Sequence, residues 1–501
     1  MQTPFDDPGK ETKEKVIIND RTYTGKEIAA YFDDVLEQLS SGLRSSWNRV
    51  QYTLAAHILI NQKEYSKALA LLYRGLQLYK YEPHMIYLTI HVLIKQKNFA
   101  EADRIAKEYL NDNPGDFCIK LTESKIKRVE GDFKAEEISL LQLIITPGSD
   151  YLDNRFKMAA YQRLANIYMK SGRFEQAEAM VEKLMRRDLD ESVWSMYFDI
   201  LHNLNRKDSL DKAKNDFARY RRACIYFEQG TEYEIAGKFS LALSNYRKGL
   251  EIYDKDSTVN IKTGNILLYR KRWYSKAETY IRRAVELDPE QENYLTTLIL
   301  CLRNQGKYTE AFEYAKKVIA MNPQSETGIF RILAKKIDRT NEFVAIANQT
   351  IENDKQNLFP KIRFELAELL DERGDADKAL QYYRQALEIW FKQARNFPDD
   401  WELYFNIGKC YLKLGKDAEA EASFRNAEKL RGCNLPEIYI ELIELYRKTH
   451  QPHKLIPYLR KIIRLNPVDL INYVDLGINY ASLLTANLRQ KESKKKWDKH
   501  I

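Results

Sequence analysis

At 501 residues the chain is long for one packed core, and 44% hydrophobic with 30% charged residues excludes disorder by composition. The formal charge is +8, the five cysteines (Cys118, Cys224, Cys301, Cys410, Cys433) form no CxxC pair, and no apolar run approaches the roughly 20 residues that span a bilayer. These features argue against a disulfide framework and a membrane span, and they set a cytoplasmic chain as the expectation.

Residues 1–18 are polar and lack an apolar core of signal-peptide length, so a flexible tail is expected there. Within 19–48, Ile28, Tyr31, Phe32, Val35, Leu36 and Leu39 recur at helical spacing and predict an amphipathic helix that caps the N-terminal end of a helical array. From 49 to 467 a helix-turn-helix unit repeats. One copy reads Gly408, Tyr411, Gly415, Ala420, Phe424, Ala427, and a second reads Gly230, Tyr233, Gly237, Ala242, Tyr246, Gly249. A third reads Ala367, Leu370, Gly374, Ala379, Tyr383, Ala386, and a fourth begins Ala165, Tyr168, Gly172, Ala177. The small residue of the first helix admits a close helix crossing, and the aromatic fills the space beside it. The glycine ends the helix in a conformation open to positive φ. Pro289 and Pro323 close second helices.

The alanine of the second helix serves as a ruler. It falls at Ala68, Ala102, Ala177, Ala213, Ala242, Ala277, Ala311, Ala345, Ala379 and Ala420, with Glu136 and Leu455 in two degenerate copies. Most spacings are close to 34 residues. In period and pattern the chain resembles the tetratricopeptide repeat family over roughly residues 50–470. The resemblance implies an all-α solenoid of about twelve helix-turn-helix repeats in a right-handed superhelix. It also implies a non-enzymatic scaffold that binds partners along a groove lined by first helices.

Three places depart from the period. Thr146 to Asp150 is a turn cluster that predicts a lengthened loop within 143–158. Phe217 to Arg222 holds no turn residue, so the array kinks or runs on as one helix within 205–225. Ala386 to Phe397 predicts an extended second helix within 387–400. At the end, Gly477 and Tyr480 mark a terminal capping helix over 468–487, followed by a basic tail over 488–501.

No phosphate loop, nucleophile elbow or zinc ligand set occurs, so no catalytic residue, metal or cofactor is expected. His450 and His453 lie in a turn, and His84 and His91 share an apolar helix. Placed on the implied groove, the inward candidates include Gln162 and Asn166, Phe227, Arg303, Phe364, Glu368 and Phe405. Gln162 stands where the family's chaperone-gripping clamp would need a lysine, which argues against that clamp. Residues 206–283 hold 18 Lys and Arg against 10 Asp and Glu, while the rest of the chain is balanced. There Arg219, Arg221, Arg222, Lys262, Arg270, Lys271 and Arg272 are interleaved with Tyr220, Tyr269 and Trp273. Such a segment is a solvated face, a contact for an acidic protein, or, as the alternative function, an RNA-binding surface.

Overall fold

A computed structural model describes residues 16–18, 21–23 and 49–465, apart from 81, 147–150, 356 and 432–434. The chain divides into two compact units, residues 1–146 and 147–501. The break falls at the turn cluster after Thr146. Near the start, β1 (Val16–Ile18) pairs antiparallel with β2 (Arg21–Tyr23), Val16 opposite Tyr23. This corrects the expected tail and the start of the capping helix. β-Branched residues on both sides of Asn19-Asp20 are a hairpin signal. The rest of the expected capping helix, with Ile28 to Leu39, lies outside the described residues, as do the terminal cap and the basic tail.

The rest is helical hairpins. The first unit holds α1 (Arg49–Asn61), α2 (Tyr65–Leu78), α3 (Pro83–Lys95), α4 (Phe99–Asp112), α5 (Phe117–Glu130) and α6 (Phe133–Ile145). The second unit opens with α7 (Tyr151–Lys170), α8 (Phe174–Met185), α9 (Glu191–Asn203), α10 (Lys207–Ile235) and α11 (Phe239–Ile252). It continues with α12 (Ser257–Asn265, then a π-helical turn Ile266–Lys271), α13 (Tyr274–Leu287), α14 (Glu292–Asn304), α15 (Tyr308–Met321), α16 (Thr327–Lys336) and α17 (Thr340–Asn353). Last come α18 (Pro360–Glu372), α19 (Ala376–Asn396), α20 (Trp401–Lys413), α21 (Asp417–Arg431), α22 (Pro436–Lys448) and α23 (Pro452–Leu465).

One residue in each hairpin turn takes positive φ. Gly131, Gly172, Gly237, Gly306, Gly374 and Gly415 do so as glycines, and Lys63, Lys97, Asn205, Arg272, Asp338 and His450 do so without being glycine. Five residues on from each, Asn205 apart, lies the buried contact of the second helix. Ala68, Ala102, Ala177, Ala242, Ala277, Ala311 and Ala420 are fully buried there, and Ala379, Glu136 and Leu455 nearly so. The same offset corrects the ruler once. From Asp338 it reaches Phe343, which is 0% exposed, whereas from Asn205 it reaches the half-buried Leu210 and Ala213 keeps its place in the core at 5% exposure. Ala345 is exposed. The Asp338 turn has no glycine to mark the phase, and a larger residue, Phe343, holds the place that the alanine pattern assigns to Ala345.

The small residues of the first helices receive rings. A Cβ on Gly408 would lie 2.5 Å from the Phe424 ring, and one on Gly230 would lie 2.5 Å from the Tyr246 ring. Carbon atoms attract best near 3.5–4.0 Å, so only hydrogen fits these places without a shift.

The irregular spacings have three separate causes. α7 is 20 residues long, so the expected loop insertion is mostly extra helix. α10 runs 29 residues without a break and serves as second helix of one hairpin and first helix of the next. α19 is extended to 21 residues, as its sequence predicts. Within the second unit, hairpins far apart in sequence also meet. Arg187 pairs with the buried Asp288, Lys183 reaches Glu290 at 2.9 Å, and Ser257 donates to the Arg186 carbonyl at 2.6 Å.

Candidate partner-binding surfaces

Charged side chains in the second unit form two stripes. On the first helices, Arg331 of α16 reaches Glu365, Glu368 and Glu372 of α18 at 2.7, 3.0 and 2.9 Å. Lys335 also holds Glu372 at 2.7 Å, Lys413 of α20 holds Glu368 at 2.5 Å, and Lys361 of α18 holds Glu402 of α20 at 2.8 Å. On the second helices, Arg282 of α13 meets Glu310 of α15, Lys316 of α15 meets Glu342 of α17, and Lys454 of α23 meets Glu421 of α21. Ion pairs thus join first helix to first helix and second helix to second helix.

The first-helix stripe is partly sheltered. Arg331 is 13% exposed. Burial opposes its charge, but the carboxylates around it hold its pKa above the ordinary arginine value. Burial raises the pKa of Glu441 on α22, although Lys409 and Lys413 lie near it. The surface therefore presents charges in fixed positions on neighbouring helices. Asn166, an expected groove residue, donates to the Gln162 carbonyl of its own helix at 2.8 Å.

The expected contact residues separate into groups. Phe227 and Phe364 are 7% and 3% exposed and belong to the core, which corrects their placement on the groove. Gly249 leaves the hole that the Phe227 ring fills, with a Cβ there only 2.3 Å from it. Phe364 is enclosed by Tyr383 and by Trp390 of the extended α19. Phe405 is half-buried against Phe424, and Arg303 is half-buried on α14. Arg219 donates to the Ile252 carbonyl at 3.0 Å and so closes the end of α11. Lys262 reaches Thr231 at 3.2 Å and Glu234 at 4.0 Å. Arg221, Arg222, Tyr269, Arg270 and Arg272 are exposed. Sequence reasoning missed Arg331 and Glu365, because nothing in either helix alone reveals a partner on the next first helix.

In the first unit, His57 of α1 and His84 of α3 share a hydrogen bond, Nε2 to Nε2, at 2.9 Å. Tyr87 stands between His84 and His91, with ring centroids 6.1 and 6.2 Å away. Burial lowers the pKa of all three histidines, that of His91 to about 4 with help from Lys125 and Lys95. The thiols are held protonated. Burial and Asp116 push Cys118 up to about 11, and burial raises Cys301 and Cys410. His450 occupies a turn position at positive φ. Among the described residues no group of three potential metal ligands comes together, and no helix is long and apolar enough to cross a membrane.

Comparison with known proteins gives a consistent result. Tetratricopeptide repeat family models match residues 159–191, 261–326 and 361–431. The chain is 25% identical to a CTR9 homologue of Arabidopsis thaliana over 408 residues, covering 74% of this chain and 34% of that protein. It is 24% identical to the BBSome complex member BBS4 homologue of Drosophila melanogaster, covering 63% of this chain and 66% of that one. The chain thus spans about a third of the plant relative and just under two thirds of the fly relative. Among solved structures, yeast Tom70 aligns over 91% of this chain and all of that one, at 14% identity and a TM-score of 0.38.

Proposed function

The chain belongs to the tetratricopeptide repeat proteins, and from that premise we propose that it is a non-enzymatic scaffold holding a protein partner along the first-helix face of α16 to α22. One observation carries the reading: Arg331, Lys361 and Lys413 tie consecutive first helices together through carboxylates, so a polar surface stands organised before any partner arrives. Interactions made by fixed charges cost little ordering on binding and favour one partner over another. Glu365, Glu368, Glu372, Glu402 and Glu441 are matched by Arg331, Lys335, Lys361, Lys409 and Lys413, so a partner segment of mixed charge, with a cation to meet the exposed Glu372 and Glu402, fits this face.

The test is affinity capture with the full chain as bait, beside a variant carrying Glu372→Lys and Glu402→Lys. Both positions are substantially exposed, so the variant should fold, as circular dichroism will verify. The expected result is a defined captured protein that the variant loses. Equal capture by both baits, or none above a control resin, refutes the groove.

A further inference from the structure

The excess positive charge gathers at the turn edge of two neighbouring hairpins, away from the first-helix stripe. The turn after α10, from Gly237 to Leu241, and the end of α12, at Arg270 and Lys271, line a cleft of about 390 Å³. Lys271 donates to Ser240 at 3.0 Å, and the Arg270 guanidinium lies 4.5 Å from the centre of the Phe239 ring, so the two turns are joined. The π-helical turn shapes this edge. Its wider i→i+5 winding keeps Ile266, Leu267 and Leu268 all buried while Tyr269 and Arg270 both emerge. Arg272 then takes φ 53° where other turns use glycine.

Two features mark this edge. Among the described residues, Lys238, Arg270, Lys271 and Arg272 have no carboxylate partner, whereas the turns on either side are neutralised. Arg206 pairs with Glu178 and Lys307 with Glu278, both at 2.7 Å. Beside the unpaired cations stand three large apolar side chains, Leu241 at 48%, Tyr269 at 55% and Trp273 at 50% exposure.

We propose that this edge, formed by the turns at Gly237 and Arg272, is a second docking site that takes a short acidic protein segment carrying a bulky apolar residue. Carboxylates of the segment meet the four unpaired cations, and its apolar side chain packs on Leu241 and Tyr269. The neutralised flanking turns limit the site to two hairpins. A nucleic-acid strand follows a basic track with open ring faces. Here Arg270 covers Phe239, and Lys276 stands 4.9 Å over Trp273. The site goes beyond the groove reading and does not rest on it.

The experiment is fluorescence anisotropy of the full chain with a labelled peptide of Glu and Asp bearing one Phe and one Leu. The expected result is binding that weakens as salt rises to about 0.5 M, since screening shortens the reach of exposed charges. Lys238→Glu with Arg270→Glu should weaken it at least about tenfold. Lys416→Glu, at the matching position of another turn, should leave it unchanged. Arg272→Gly separates binding from folding: it should weaken the peptide and still raise Tm, because glycine holds this φ without a Cβ clash. No peptide binding, or equal binding by wild type and the edge variants, overturns the proposal. So does tighter binding of polyuridylate with a salt slope of several phosphates. Partner capture with the Glu372→Lys, Glu402→Lys variant is read separately, so either site can fail alone.

Discussion

Replacing Phe343 by Ala removes a ring that is 0% exposed and lies 5.2 Å, centre to centre, from Phe330, itself stacked on Phe312 at 4.9 Å. Deleting a buried Phe side chain costs about 3–5 kcal/mol through lost transfer energy and the cavity left behind. About 0.5–1.5 kcal/mol of this belongs to the ring–ring contact. With Phe330 and Phe312 both fully buried, the neighbours have little freedom to collapse, so about 4 kcal/mol is expected. Ala345→Arg, two residues on, points into solvent and should cost less than about 0.5 kcal/mol. A repeat array need not unfold in one step. The assay is therefore urea unfolding followed by circular dichroism, together with amide hydrogen exchange over residues 327–353. Phe343→Ala should release protection in α16 and α17 first, and Ala345→Arg should not. Equal loss in the two variants, or greater loss in Ala345→Arg, would refute the five-residue offset from turn to core.

Two glycines of one hairpin should fail for different reasons. Gly408→Ala drives a methyl into the Phe424 ring and should cost about 1–2 kcal/mol, overpacking being partly offset by better helix propensity. Gly415 has open space but φ +71°, so Gly415→Ala should cost about 1 kcal/mol, and Gly415→Asn should recover much of it, as Asn205 already holds such a turn. If Gly408→Asn is equally mild in chemical unfolding, close helix approach is not what excludes a side chain there. The first unit should weaken in acid. His91 is held down to about 4, chiefly by burial, against about 6.5 unfolded, so below pH 6.5 the unfolded chain gains a proton that the folded chain refuses. Stability is therefore full above pH 6.5 and is lost as pH falls toward 4, by about 1 kcal/mol at pH 5 after allowance for screening. His57 and His84 act in the same direction. Hydrogen exchange of residues 83–95 at pH 7 and pH 5 measures it, and His91→Gln should flatten the difference; an unchanged difference contradicts the cause.

The legible part of the candidate sites was their composition. The concentration of Lys and Arg over 206–283 stands in the sequence, as does the interleaving of Tyr269, Arg270, Arg272 and Trp273. Which of those cations lack a partner does not. Arg206 is neutralised by Glu178, and Arg282 by Glu278 and Glu310. Such partners as Glu178 and Glu310 sit on another helix, and only the packing of hairpins brings them within reach. Phe227 and Phe364 were misplaced for a related reason: a ring on a first helix faces the core or the solvent according to the hole its neighbour leaves.

By itself the sequence determined the helical hairpin, its period, and the turns at Gly172, Gly237, Gly374 and Gly415, because backbone propensity and the 3.6-residue face are local properties. It also determined the long α19, and it left α10 open between a kink and a continuous helix. Tertiary structure alone decided that α10 runs unbroken, that Phe343 and not Ala345 enters the core, that α12 ends in a π turn, and that charge sorts into two stripes and one unpaired edge. The place of Phe343 and the sorting of charge turn on contacts between helices, where competition for space and for counter-charges is settled only when the hairpins pack.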